Sequence, residues 1–357
     1  MMKRLLLVSL VSLFVLLSGL HLISELNPQP WTPPSNPGLT GQYAQNKHLD
    51  THFHKAIETS EGPEDFTFDQ QGHLFTGLAN GDIVKIDVSA TDPQPVVLTN
   101  TGGRPLGMRF DAMGNLIIAD AIKGLLRYSA GNIEVLADTY QGQALKFVDH
   151  LTIGQDGLIY FSDASSRFGM EGYKYDFLEA SMTGRIFVYD PTSGQLNVLV
   201  DDLYFANGVA LSADGNELYI NETGKARILK YRLKGPDAGS LSVLVDALPG
   251  YPDNLYMDET GILWVGVIGL RDPLLENLAG LPFVRKLMGG LPHSALISLN
   301  AYGFVLGLEL SGDEVATVKH NFQGQAHYTN VTTAIPYNGK LYLGSLYQSN
   351  ITVVALP

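Results

Sequence analysis

Four oxygen-bearing side chains stand at one repeated distance ahead of a turn glycine. Glu64 precedes Gly72 by eight residues, and the same interval separates Asp149 from Gly157, Asn207 from Gly215 and Asp253 from Gly261. Asn254 follows Asp253 directly. If these equivalent places meet in space, three carboxylates share a small volume, which their mutual repulsion forbids without a cation. Donors that are all oxygen select a hard ion, calcium before magnesium, because calcium accepts six to eight oxygens in irregular geometry. The ligand set expected from this register is therefore Glu64, Asp149, Asn207 and Asp253 around one calcium ion. At the same register stand Leu106 and Val331, so the polar set is selective.

The elements that must bring these residues together are visible as a repeat. A turn glycine followed by a short apolar strand recurs as DQQGHLF, DAMGNLI, QDGLIYF, ADGNELYI, DETGILWVG and YNGKLYLG. The glycines at 72, 114, 157, 215, 261 and 339 are 42, 43, 58, 46 and 78 residues apart. Most of these intervals suit a four-stranded blade, and the last must hold an insertion. The sequence therefore predicts an all-β fold, a six-bladed β-propeller, whose equivalent inner positions converge on the central axis. A pair of sandwiches would not repeat one turn signature along the chain. Any single acid at a strand end is commonly structural; agreement of four in register favours a shared site.

With 357 residues and 45% hydrophobic composition the chain can bury a full core. Its net charge of -13 argues against a nucleic-acid partner, which needs a basic face. Cysteine is absent, which excludes disulfides, thiolate metal sites and cysteine nucleophiles. Lys3 and Arg4 precede an apolar run from Leu5 to Ile23, which as a helix would be roughly 28 Å long. That run predicts an N-terminal transmembrane helix acting as a signal-anchor, with a cleaved signal peptide as the competing reading. The positive end would stay in the cytoplasm and the remainder would be exported. The expected organisation is a membrane segment over 1–24, a proline-rich spacer over 25–54 holding five prolines from Pro28 to Pro37, and the propeller over 55–357.

GPEDF around Glu64, GRPLGM from Gly103, FVDHLTIGQDGLIYFSDASSRF from Phe147, FANGVALSADG from Phe205 and PGYPDNLYMDETGILWVG from Pro249 carry a family likeness. With GKLYLGS from Gly339 they resemble the strictosidine-synthase-like propellers, especially the adipocyte plasma-membrane-associated type, and more distantly the paraoxonases, gluconolactonases and senescence-marker protein. The resemblance covers roughly residues 55 to 357. It implies a calcium-binding glutamate at Glu64, with Glu61 as the weaker candidate, an asparagine at Asn207 and the Asp-Asn pair at Asp253 and Asn254. Where the hydrolytic relatives have asparagine, this chain has Asp149, and the acidic residue after it becomes His150. That change makes a second, structural calcium doubtful even though Asp65 is present.

Other departures bear on the chemistry. The glutamate on which strictosidine synthases depend falls on Thr332, so authentic strictosidine synthesis is not expected. The paraoxonase histidine of the second blade falls on Leu106, and that histidine dyad is lost. The expectation is metal-assisted hydrolysis of a small-molecule lactone or aryl ester, with water as nucleophile. Calcium acidifies water little, so a base is needed. His150 is the candidate by its near-neutral pKa, with Asp253 as the alternative and His327 a poorer one. Alternation along a strand would point His150 away from Asp149. Two loops could shape the pocket: Ser165 to Gly184, and the insertion at 267–292, read either as a helix packed on the propeller or as a lid or membrane contact. A non-enzymatic propeller whose calcium only fixes the fold is the alternative.

Overall fold

The turn at Asp258-Glu259-Thr260-Gly261 shows how the repeat folds. In a computed structural model, which describes residues 2–296, 299–311 and 315–356, the Asp258 carboxylate accepts the backbone N–H groups of Thr260 and Ile262 at 2.8 and 2.9 Å. Gly261 takes φ +84°, a left-handed conformation that costs a glycine little. The turn joins the strands Gly250–Met257 and Ile262–Leu270, which pair antiparallel. The other five turn glycines also have positive φ. The signature read in the sequence is therefore the hairpin between the first and second strands of each blade.

Among the described residues there are six four-stranded antiparallel sheets and one short hairpin, Thr139–Tyr140 with Gln143–Ala144. The innermost strands begin at Phe66, Pro105, Val148, Ala206, Gly250 and Val331 in blades 1 to 6. Blade 6 takes its outermost strand, Phe53–Glu58, from the N-terminal side, so the ring is closed by pairing with Asn350–Ala355. Apolar side chains of neighbouring sheets fill the space between blades. Leu255, Val265 and Phe304 of blade 5 lie with Tyr219 and Ile228 of blade 4 in one such layer. The six-bladed expectation holds.

Two corrections concern the N-terminal region. Among the described residues no helix is long and apolar enough to cross a membrane, so the transmembrane anchor expected over Leu5 to Ile23 is not supported. A helix does form over Met2–Ile23. Ser18, Gly19 and His21 interrupt its apolar run, and its last turn meets the protein: the His21 ring lies 5.4 Å from that of Phe283, and Leu20 packs where a side chain on Gly290 would sit. The proline-rich segment does not stand off as a spacer. It runs along the propeller in extended form with Ser24, Leu26 and Pro28 facing inward, an alternation expected of an extended chain.

Candidate metal centre and active site

The innermost strands of blades 2 to 6 each break register with their neighbour. The breaks fall between Pro105 and Met108, Val148 and Leu151, Ala206 and Val209, Pro252 and Leu255, and Val331 and Thr333. Bulges of this kind re-aim side chains beside functional sites. Here they deliver Leu106, Asp149, Asn207, Asp253 and Thr332 to one axial cleft, where Glu64 joins them from the segment entering blade 1. The sequence register placed Val331 at this point in blade 6. The structure places Thr332 there, because the turn between Tyr337 and Lys340 brings its glycine one residue closer to the inner strand than in the other blades.

Backbone contacts hold the ring this closely. A side chain on Gly208 of blade 4 would come within 2.4 Å of the Asp253 carbonyl oxygen and 2.6 Å of the Leu255 nitrogen in blade 5. The absence of a Cβ therefore lets the two inner strands touch. From blade 4, the Asn221 amide donates to the Asp253 carbonyl at 2.5 Å and the Thr223 hydroxyl donates to that of Pro252 at 2.7 Å. Sequence reasoning missed both supports. Their only signal was a polar NET following an apolar strand.

At the floor of the cleft, Glu64, Asp149 and Asp253 each present an oxygen within 4.8 Å of the others, and all three are buried. Burial is the first cause that raises their pKa values well above the carboxylate range. Repulsion from a neighbour is the second: Asp253 acts on Glu64, Glu64 on Asp149, and Asp149 on Asp253. Arg104 beside them partly offsets this for Glu64 and Asp149; its guanidinium donates to the Gly62 and Pro105 carbonyls. The Asn254 amide donates to Glu64 Oε1 at 2.6 Å. Glu64 Oε2, Asn207 Oδ1 and Asn254 Oδ1 are buried with no hydrogen-bond partner among the described residues. Crowded carboxylates and orphaned oxygens, only partly offset by Arg104, fit a hard metal ion.

His150 is elsewhere. It does not line the cleft; it is fully buried, its Nδ1 accepts the Val209 N–H at 3.1 Å, and its Nε2 faces Arg109 and Asp65 at 3.1 and 3.5 Å. Both ring nitrogens are thus engaged in a joint linking blades 1 to 4, and burial lowers its pKa. Asp65 is held below the carboxylate range chiefly by Arg109, whose guanidinium is 2.6 Å away. Glu61 is exposed, and His327 stacks on Phe53 at the rim. Thr332 donates its hydroxyl to the Glu64 carbonyl at 2.6 Å, a positioning contact where a carboxylate would offer acid/base chemistry.

Above the floor, the cleft leaves about 120 Å³ for the centre of a water-sized sphere and its walls are largely apolar, including Leu106, Phe147, Phe205, Tyr251 and Leu346. The roof comes from the two loops singled out in the sequence. Ser165 to Gly184 forms the helix Tyr173–Glu179, and the blade 5 insertion forms two short helices, Pro273–Asn277 and Pro282–Met288, where one helical run of leucines was anticipated. Asp272 caps the first of these, accepting the Leu274 and Leu275 N–H groups, and Pro273 starts it. Gly280 and Pro282 separate the two helices.

A family model for strictosidine synthase matches residues 149–236, and one for the N-terminal part of strictosidine synthase-like proteins matches residues 41–86. The protein strictosidine synthase-like 6 of Arabidopsis thaliana is 35% identical over 297 residues, covering 81% of this chain and 77% of that one. The chain belongs to the strictosidine synthase-like family. The adipocyte plasma membrane-associated protein of Danio rerio, also similar, is 33% identical over 367 residues, covering 97% of this chain and 86% of that protein. Among solved structures, a gluconolactonase from Xanthomonas campestris superposes with a TM-score of 0.60 at 15% identity, covering 94% and 99% of the two chains. A calcium-binding regucalcin from Agrobacterium tumefaciens gives 0.59 at 14%, covering 85% and 93%. At such identities the likeness shows the propeller fold alone. This strictosidine synthase-like chain thus bears out the family read from its motifs.

Proposed function

We propose that this chain is a calcium-dependent hydrolase of lactones or aryl esters. The observation that carries the reading is the convergence of Glu64, Asp149 and Asp253 with the orphaned oxygens of Asn207 and Asn254, at the floor of an apolar cleft. These five residues would hold the ion, and Asn254 also orients Glu64 through its amide. When bound, calcium supplies the positive charge that polarises an ester carbonyl and steadies its developing negative oxygen. The apolar walls hold the acyl or aryl group and exclude bulk water. Asp253 faces the cleft, receives a hydrogen bond from Asn207, and is the group to take the proton of the attacking water. The fold shared with a gluconolactonase and a regucalcin supports this reading at the level of architecture.

The test is hydrolysis of phenyl acetate and a lactone panel by purified protein, with EDTA and then added calcium. Activity lost with chelator and restored by calcium is the expected result. Protein that binds calcium yet hydrolyses nothing would make the chain a ligand-binding propeller. Membrane association is part of the proposal, supported by relatives whose names place them at the plasma membrane. Recovery of the full chain only in the soluble fraction would remove that part.

A further inference from the structure

The largest fully buried side chain is Arg285, and its charge is met by main-chain oxygens of three separate segments. One nitrogen donates to the Leu178 and Glu179 carbonyls at 3.0 and 3.4 Å, at the C-terminal end of the roof helix Tyr173–Glu179, where unpaired carbonyls and the helix dipole favour a cation. The other donates to Ala279 of the blade 5 insertion at 2.9 Å and to Gln29 of the proline-rich segment. Further bonds tie that segment down. Asn27 N–H donates to Glu179 Oε2 at 2.8 Å, Trp31 N–H donates to the Ala279 carbonyl at 3.2 Å, and Arg271 donates to the Pro34 carbonyl at 2.5 Å. Leu26 packs against Leu178 and Leu296, which themselves line the cleft. Trp31 packs on the cluster containing Leu106, Phe147 and Phe205, also wall residues, with its ring edge-on to Tyr204 at 5.4 Å.

We infer that residues 24–34 are a strap built into the roof of the cleft, stapled by Arg285, and that it determines which substrates enter: with the strap seated the cleft takes compact esters, and with it released the roof admits bulkier apolar ones. The selectivity part rests on the hydrolase reading; the strap itself does not. Arg285 acts here as a positioning residue. It touches no reacting atom, and it fixes the relative place of the two roof elements and the strap.

The experiment compares the full chain with Arg285→Met, which keeps an apolar stem and removes the donors, and with the double variant Leu26→Ala/Trp31→Ala, which leaves Arg285 in place and removes the strap's apolar anchors. Hydrogen exchange at the Asn27 and Trp31 amides, binding of the uncharged apolar dye N-phenyl-1-naphthylamine, calcium affinity, and rates on phenyl acetate and 4-nitrophenyl decanoate are measured on each. Loss of one charge-assisted hydrogen bond is worth roughly tenfold in an opening equilibrium, so exchange at both amides should accelerate by about that factor in Arg285→Met. Dye binding should rise, calcium affinity should stay constant, and the decanoate-to-acetate rate ratio should increase in both variants. Unchanged exchange and dye binding in a folded variant overturn the strap. If Arg285→Met does not fold, the double variant decides by the same measurements. Faster exchange and dye uptake with a constant substrate ratio overturn the selectivity role, and a parent chain inert to every ester overturns the hydrolase reading while the exchange and dye results still judge the strap.

Discussion

Asp253 carries two opposed effects, and they can be separated by changing one atom. Without a cation its charge adds to a buried cluster that burial and mutual repulsion already disfavour; with one, it is a ligand. Asp253→Asn should therefore raise the melting temperature in EDTA by roughly a few degrees and lower it relative to the parent in calcium. Calcium affinity should fall by at least about tenfold, since ligand charge sets affinity at such sites. Equal affinity in parent and variant would remove Asp253 from the site. The same raised carboxylates fix the sign of a pH effect. In the unfolded chain Glu64, Asp149 and Asp253 titrate in the ordinary range near pH 4; in the folded, metal-free chain they hold protons to higher pH. Their contribution is complete below that range and is lost as pH rises through the raised values. Thermal melts in EDTA should show stability falling from about pH 4 upward, and calcium should abolish the fall while binding more tightly at higher pH. A melting temperature in EDTA that rises over this interval would contradict the clustered carboxylates.

At the scale of elements, the propeller was legible because its hairpin turn repeats the same chemistry six times, whereas the bulges were not. Strict alternation assigned Asp149 and His150 to opposite faces, which proved true of their destinations: Asp149 reaches the cleft and His150 a joint between blades. It could not reveal that Gly107 and Gly208 lie where the next inner strand presses against them. Counting from turn glycines misplaced blade 6 by one residue because turn length varies. Roof contacts were illegible for another reason: Arg285, Gln29 and Leu178 are remote in sequence and meet through main-chain oxygens, which leave no residue signature. Gly208→Ala tests the ring directly. Its Cβ would fall 2.4 Å from the Asp253 carbonyl oxygen, on backbone with little room to move. The expected cost is about 1–3 kcal/mol by denaturant melts, accompanied by weaker calcium binding because Asp253 shifts. Wild-type stability would mean the inner strands are looser than this packing requires.

Across the whole molecule, the N-terminal region performs two separable tasks, closing the ring and roofing the cleft. The strand Phe53–Glu58 completes blade 6 on the edge of Asn350–Ala355, and Ile57 is buried between the sheets of blades 6 and 1. Residues 24–34 instead bind the roof and contribute nothing to the sheets. A chain beginning at Gly38 should consequently fold into a cooperative propeller with its calcium site intact, since every strand and all five proposed ligands remain. Its cleft should bind apolar dye more strongly than the full chain does. A chain beginning at Gly62 also lacks the closing strand and leaves the edge of Asn350–Ala355 unpaired, an invitation to self-association. Light scattering and melting of the two truncated chains distinguish the tasks. The longer should remain monodisperse, and the shorter should aggregate or melt well below it. A monodisperse, equally stable chain from Gly62 would show that the ring holds without its closing strand.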